Sequence, residues 1–121
     1  MNFIFVGLGG GVGATLRYAM SLLPNRTDFP VWTLLTNLLG AVLIGFIAQL
    51  AARRALPAPL VLFLKTGVCG GFTTFSTFSL EAYTLFGRGA YVLGGVYVAA
   101  SVVLCLAGIL LGTLAADLLA A

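Results

Sequence analysis

The residues that could do chemistry are concentrated in one otherwise apolar stretch, Lys65–Glu81. Hydroxyl side chains there surround two phenylalanines, Phe75 and Phe78, which are spaced to share one helix face. Hydroxyls can donate hydrogen bonds to an anion, and phenyl rings present positively polarised edges. The pattern therefore favours recognition of a small anion by neutral donors.

Two other segments carry matching lines of polar or small residues. These are Thr33, Thr36, Asn37 and Gly40 in one segment, and Tyr97, Ser101 and Cys105 in the other. A simpler interpretation is ordinary helix packing, with each hydroxyl bonded back to the preceding turn. Three such lines in a chain this apolar nevertheless favour the lining of a narrow path.

Other kinds of chemistry find little support in the composition. The chain has no histidine and only three acidic residues, and Glu81 is the only acid within the polar stretch. A cation-selecting acidic ring and a proton relay are therefore both missing. The two cysteines, Cys69 and Cys105, lie in apolar runs without CxxC spacing and are expected to be buried thiols. We therefore expect that the protein is not an enzyme.

The elements that must position these residues are membrane-spanning helices. Of the 121 residues, 61% are hydrophobic and 7% charged, whereas soluble domains carry about 25% charged residues. Four segments are long enough to cross a bilayer: Phe3–Leu23, Val31–Ala51, Pro59–Phe86 and Ala90–Ala116. Short connections make consecutive helices antiparallel neighbours, so residues 1–121 are predicted to form one all-α, four-helix transmembrane domain.

Glycines at four-residue spacing predict where helices approach closely. Gly9, Gly13 and Arg17 share one face of the first helix, and Gly108 and Gly112 give the fourth a similar face. The spacing of Gly9, Gly11 and Ala14 also fits a dinucleotide-binding turn. The alternating strands and helices which that interpretation requires do not follow, so helix packing is the better explanation.

The third segment is predicted to be a broken helix. Gly70 and Gly71, followed by Thr73 and Thr74, are poor helix formers near its midpoint, so we expect two half-helices joined at Gly70-Gly71. A break frees backbone carbonyls that protein, water or an ion must satisfy. The sequence leaves two alternatives open: a cation held by neutral oxygens, or a kink healed by threonine hydroxyls.

The basic residues are evenly divided between the two membrane faces. Arg53, Arg54 and Lys65 fall toward the face that bears the N-terminus, and Arg17, Arg26 and Arg88 toward the other. Because Lys and Arg bias sets orientation, this balance predicts insertion in both directions and pairing of the two forms as an antiparallel dimer. Scattered basic residues, without a basic stripe, give no support to nucleic-acid binding.

Three motifs together resemble one known family. They are GGxxGAxxRY (Gly9–Tyr18), TLLTNLLGAVLIG (Thr33–Gly45) and TGVCGGFTTFSTFS (Thr66–Ser79), and the chain is similar through all four spans to the CrcB family, the Fluc fluoride channels. The resemblance implies a dual-topology antiparallel homodimer with two pores along the subunit interface. It also implies passive fluoride export, and hence fluoride resistance, at a bacterial inner (plasma) membrane, with lipid, fluoride and a second copy as partners.

The resemblance further implies roles for individual residues. A central structural sodium ion would be held by the carbonyls of Gly70 and Thr73. The fluoride path would involve Arg17, Asn37, Phe75, Ser76, Thr77, Phe78, Glu81, Tyr97 and Ser101. Cys105 stands where relatives carry a serine, and a thiol is a weaker donor than a hydroxyl.

Two other functions compete with a fluoride channel. A small dual-topology multidrug exporter would use a carboxylate in its first helix for proton exchange, and Phe3–Leu23 contains none. A scaffold subunit packed through its glycine faces would leave the aligned polar lines unexplained.

Overall fold

The computed structural model describes all 121 residues, Met1–Ala121, and is built from four long helical spans. Three spans are continuous: α1 (Asn2–Ser21), α2 (Val31–Arg54) and α5 (Tyr91–Ala120). The third span, Ala58–Gly87, is divided. All four are long and apolar enough to cross a membrane, and the structure contains no strand. The all-α, four-span architecture is therefore confirmed.

The third span consists of two helices of different character. The first, α3 (residues 58–72), begins with the α-helical turn Ala58–Val61, widens into a π-helical segment, Leu62–Cys69, and ends with the α-helical turn Gly70–Phe72. The second is α4, Phe75–Gly87. A proline in the first turn of α3 suits a helix start, where a missing amide hydrogen leaves no bond unmade.

The break between these helices lies at Thr73 and Thr74, not at the predicted Gly70-Gly71 junction. Both threonines have extended backbones, with φ/ψ of −80°/157° and −148°/119°. The extended region suits β-branched residues, and the Thr74 hydroxyl caps α4 by accepting the Thr77 amide at 3.1 Å. Gly70 and Gly71 remain helical. The prediction was therefore wrong by three residues.

Glycines close the seam between α1 and α3. A Cβ atom placed on Gly9 would collide with the Phe63 carbonyl oxygen, and one on Gly13 with the Val68 carbonyl oxygen. Gly71 faces the α1 backbone in the same way, which explains a glycine there without any break in the helix. The small face predicted for the first helix is confirmed.

A second glycine seam joins α2 to α5. A Cβ on Gly112 would meet the Val42 carbonyl oxygen, and one on Gly45 would meet the backbone of Ile109. Gly108 lies against side chains of α2. The glycine face predicted for the fourth span is thus confirmed as a helix-packing surface.

Charged and turn residues lie at the two ends of the bundle. At the end where α2 and α5 finish, Asp117 accepts hydrogen bonds from Gln49 at 2.7 Å and Arg53 at 3.0 Å. At the opposite end, Arg88 lies 3.8 Å from Asp28. The α4–α5 turn there uses Gly89 at φ +81°, a left-handed conformation that favours glycine.

Candidate functional site

Asn37 forms hydrogen bonds with the backbone at the helix break. Its side-chain Nδ2 donates to the Thr74 carbonyl at 3.1 Å, and its Oδ1 accepts the Thr74 amide at 2.8 Å. One side chain of α2 thus hydrogen-bonds both backbone groups of the extended residue Thr74. Asn37 is a positioning residue for the break as well as a predicted path residue.

The two carbonyls predicted to hold a cation are among those that lose their usual helical partners at the break. A continuous helix would bond the Gly70 carbonyl to the Thr74 amide, which is taken by Asn37. It would bond the Thr73 carbonyl to the Thr77 amide, which is taken by the Thr74 hydroxyl. Neutral carbonyl oxygens suit a hard cation. These donors therefore fit a sodium ion chemically.

Two neighbouring carbonyls at the break do have partners. The Cys69 carbonyl accepts both the amide and the hydroxyl of Thr73, at 3.0 and 2.9 Å. The Gly71 carbonyl accepts Nε–H of Arg17 at 3.1 Å. The Thr73 hydroxyl thus satisfies one of the carbonyls near the kink, in the way that the second sequence-based alternative proposes. The carbonyl that it satisfies is that of Cys69 and not that of Gly70.

A groove of about 350 Å³ lies beside the break, and we call it the main groove. Among the residues that line it are four of the predicted path residues, Asn37, Phe75, Phe78 and Ser101, together with Cys105. Residues from α2, α4 and α5 therefore meet in one cavity, although they lie far apart in sequence.

The two phenylalanines differ in their surroundings. Their ring centroids lie 5.6 Å apart at an interplanar angle of 49°. The Phe75 side chain is largely open, with the residue 79% exposed. Phe78 packs behind it against Tyr97, at a centroid distance of 5.2 Å. Phe75 is thus free to contact an ion or a second chain, whereas Phe78 is anchored in the bundle.

Ser101 carries a buried hydroxyl without a hydrogen-bond partner. The residue is only 7% exposed, and its Oγ makes no bond within the chain. The simpler interpretation of the polar lines, bonding back to the preceding turn, applies to Ser79, whose hydroxyl donates to the Phe75 carbonyl at 2.8 Å. It does not apply to Ser101. Because an unmet buried polar group is unfavourable, this hydroxyl is suited to a ligand in the main groove.

A second cavity, of about 260 Å³, is lined by Arg17, the one basic residue of the predicted path, and we call it the Arg17 pocket. Its polar lining comes from Arg17, Ser21, Thr33, Thr36, Thr74 and Thr77. Arg17 and Thr77, both predicted path residues, therefore line a different cavity from Phe75. Thr74 lines both cavities.

The other three predicted path residues line neither cavity. Tyr97 is fully buried, and its hydroxyl donates to Oε1 of Glu81 at 3.1 Å. Its ring also meets Phe29 edge-on at 5.5 Å. Ser76 is exposed, with its hydroxyl 3.4 Å from that of Thr74. Phe78 therefore packs against a tyrosine ring whose hydroxyl is hydrogen-bonded to Glu81.

Thr74 is the residue that sequence reasoning missed. It accepts the first amide bond of α4, bonds Asn37 through its backbone and borders both cavities. The available signal was a threonine immediately before a helical run, which is typical of an N-cap. Its pairing with Asn37 joins two separate spans and leaves no local pattern.

The fold and these cavities define a multi-pass membrane protein with a largely apolar groove between its helices, into which a few polar side chains are set. Residues 4–113 match the family model described as "CrcB-like protein, Camphor Resistance (CrcB)". The chain belongs to the CrcB family, as its motifs predicted.

Curated relatives agree over nearly the whole chain. It is 46% identical to the fluoride-specific ion channel FluC of Ruminiclostridium cellulolyticum, covering 99% of this chain and 95% of that protein. It is 45% identical to FluC 2 of Nitrobacter hamburgensis, covering 93% and 94%. It is 43% identical to FluC of Agrobacterium fabrum, covering 93% of each. These relatives are named as ion channels and not as enzymes, in agreement with the sequence-based expectation.

Proposed function

We propose that this chain is a fluoride-selective ion channel that passively exports fluoride across a bacterial inner (plasma) membrane and so gives fluoride resistance. The observation that carries the proposal is the main groove, which groups Asn37, Phe75, Phe78 and Ser101 in a chain with full-length similarity to proteins named fluoride-specific channels. Neutral donors and ring edges are the groups expected for a small anion.

The groove offers fluoride replacements for its hydration shell. The Ser101 hydroxyl has no partner in the chain. The Asn37 amide uses one of its two N–H groups on the Thr74 carbonyl, which leaves the other available. Phe75 and Phe78 add polarised ring edges. A pore that conducts must replace water well enough to admit the ion and weakly enough to release it.

Passive conduction agrees with the residues that the spans contain. Proton-coupled pumps relay protons through buried acidic or histidine side chains, and this chain has no histidine. Hydrogen fluoride enters uncharged and releases fluoride in a near-neutral cytoplasm. A negative interior potential then expels the anion through an open path without energy coupling in the protein.

A second, oppositely oriented copy would complete the path. Phe75 and the main groove lie open on the surface of a single chain, and an ion crossing the bilayer needs walls on every side. Equal numbers of basic residues on the two faces support an antiparallel arrangement. Two copies related by a two-fold axis in the membrane plane would form two pores along their interface.

Within this dimer, a sodium ion would sit between the two helix breaks. The carbonyls of Gly70 and Thr73 would hold it, because their helical amide partners are engaged elsewhere. Gly70 is exposed and faces open space, so a second copy can approach it. The ion would supply positive charge and a fixed junction between subunits.

The remaining predicted residues would act around the pores. Arg17 would draw anions toward the Arg17 pocket, where Thr77 also lies. Glu81 would orient the Tyr97 hydroxyl through their 3.1 Å hydrogen bond. Ser76 would contribute a hydroxyl beside Phe75.

Ion efflux from liposomes tests the proposal. Liposomes containing the purified protein are loaded with fluoride or with chloride, and efflux is recorded with ion-selective electrodes. We expect rapid fluoride efflux and negligible chloride efflux. Equal rates for both anions, or no flux above that of protein-free liposomes, would contradict the proposal.

A further inference from the structure

Cys105 places a free thiol in the lining of the main groove. It is half-buried and lines the cavity together with Asn37 and Phe75. The other cysteine, Cys69, is 1% exposed and lines neither cavity. The chain therefore contains one thiol that lines the groove and one fully buried thiol, which serves as an internal reference for reactivity.

The surroundings of Cys105 include an independent sign of a ligand position. Ser101 lies four residues earlier on α5, hence on the same helix face, and lines the same groove. Its hydroxyl is buried and has no partner in the chain. A group entering the groove beside Cys105 would meet an oxygen able to donate or accept a hydrogen bond.

We propose that Cys105 is a modification site for small, neutral thiol-reactive electrophiles, and that the resulting adduct obstructs the main groove. The site itself follows from the geometry of the groove, whereas the loss of ion flux rests on the proposed function. The class of reagent follows from the surroundings, because an apolar span admits a small uncharged molecule more readily than a charged one.

Methyl methanethiosulfonate is a suitable probe of this chemistry. The Cys105 thiol loses its proton to the buffer, and the thiolate sulfur attacks the sulfenyl sulfur of the reagent. A sulfur–sulfur bond forms, the sulfur–sulfonyl bond breaks, and methanesulfinate leaves with the bonding electron pair. The product is a methyl disulfide on Cys105, and a reducing thiol reverses it by exchange.

The adduct would extend from the same wall of the groove as the Ser101 hydroxyl. The added thiomethyl group would take up part of the cavity of about 350 Å³, on the side where Phe75, Phe78 and Ser101 also line it. The group would displace water and deny an ion its contact with Ser101. Because a narrow path conducts only when its donors are free to replace water, flux should fall by at least about tenfold.

The experiment treats the channel in liposomes with the probe and measures two quantities on the same sample. Peptide mass spectrometry locates the adduct, and an electrode records fluoride efflux. We expect modification at Cys105 and not at Cys69, a large loss of efflux, and recovery with dithiothreitol. Both cysteines should react after denaturation in detergent, which shows that the Cys69 peptide is detectable.

Two variants provide matched controls. In Cys105→Ser, the probe should leave efflux at that variant's own untreated rate. Adding Leu106→Cys to this background moves the thiol by one residue to a position that is 65% exposed and lines neither cavity. That variant should keep its own untreated flux when it is exposed to the same probe.

The outcomes separate the two proposals. An unmodified Cys105 in the folded protein, or a modified Cys105 with undiminished fluoride flux, would overturn the modification site as proposed. An untreated protein that conducts no fluoride would instead contradict the proposed function. Peptide mapping would still decide in that case whether the Cys105 thiol is open to the groove.

Discussion

The glycine seams and the helix break differ in what happens to the backbone. Along the seams, Gly13 of α1 and Gly112 of α5 let neighbouring backbones touch. At the break, Thr73 and Thr74 leave the helix, and Asn37 must satisfy the backbone that they expose. The seams hold the bundle together, whereas the break creates polar groups that an ion can use.

This contrast explains how so apolar a chain can contain a polar site. Lipid tolerates irregular backbone only where protein or a water-filled cavity satisfies it. Asn37 satisfies Thr74, and Arg17 satisfies the Gly71 carbonyl. The closed seams supply the rigid frame that keeps these side chains in position. Substitutions in the seams should therefore affect folding, and substitutions around the break should affect transport.

The largest effect is expected from an alanine in the α1–α3 seam. In Gly13→Ala, the added methyl group would collide with the Val68 carbonyl oxygen, and overpacking of this kind lowers the free energy of unfolding by about 1–3 kcal/mol. Thermal unfolding in detergent measures the change. Gly11→Ala is the matched control, because open space surrounds Gly11. Equal stability of the two variants would contradict the close packing of α1 against α3 at Gly13.

A large effect on transport is expected when Asn37 is removed. Asn37→Ala deletes two hydrogen bonds to Thr74 and one wall of the main groove. Fluoride efflux should fall by at least about tenfold, because the groove loses an amide donor and Thr74 loses both bonds that fix the backbone at the break. Leu39→Ala, at an exposed position of α2, should retain transport. Unchanged efflux in Asn37→Ala would place the path elsewhere.

Part of this contrast could be predicted from the sequence. Glycines at four-residue spacing identified both seams, because close helix packing leaves a local periodic pattern. The break was assigned to Gly70-Gly71 because propensity does not distinguish a glycine that breaks a helix from one that admits a neighbour. The structure shows that Gly71 serves packing and that the threonines form the break.

The site was predictable to a lesser extent. The polar lines on three spans identified Asn37, Phe75, Phe78 and Ser101, which meet in the main groove. No local pattern could divide the predicted residues between two cavities, or reveal that Tyr97 lies behind Phe78. Those relations depend on how α2, α4 and α5 are rotated against one another.

A smaller effect is expected when sodium is withdrawn. If the carbonyls of Gly70 and Thr73 hold sodium at the junction of two chains, exchanging sodium for a large organic cation during purification should lower the thermal stability of the dimer. Ligand linkage gives about 1.4 kcal/mol at a tenfold excess over Kd. Unfolding temperatures compared in matched sodium and sodium-free buffers test this. Identical temperatures would contradict the sodium site.

The smallest effect is expected from Tyr97→Phe. The variant keeps the ring contacts with Phe78 and Phe29 and removes only the hydroxyl that donates to Glu81. We expect a loss of stability of about 1 kcal/mol and a modest reduction in fluoride efflux. Efflux as low as that of Asn37→Ala would mean that the Tyr97 hydroxyl contacts the ion directly.

The proposal that fluoride passes through the main groove is tested most directly by fluoride efflux through Phe75→Ile, measured beside the wild type and Leu80→Ile. Phe75 lines the main groove, whereas Leu80 is exposed on the same helix and lines neither cavity. We expect Phe75→Ile to lose most fluoride efflux while remaining dimeric by size-exclusion chromatography, and Leu80→Ile to conduct like the wild type. Wild-type efflux through Phe75→Ile would contradict a fluoride path through the main groove.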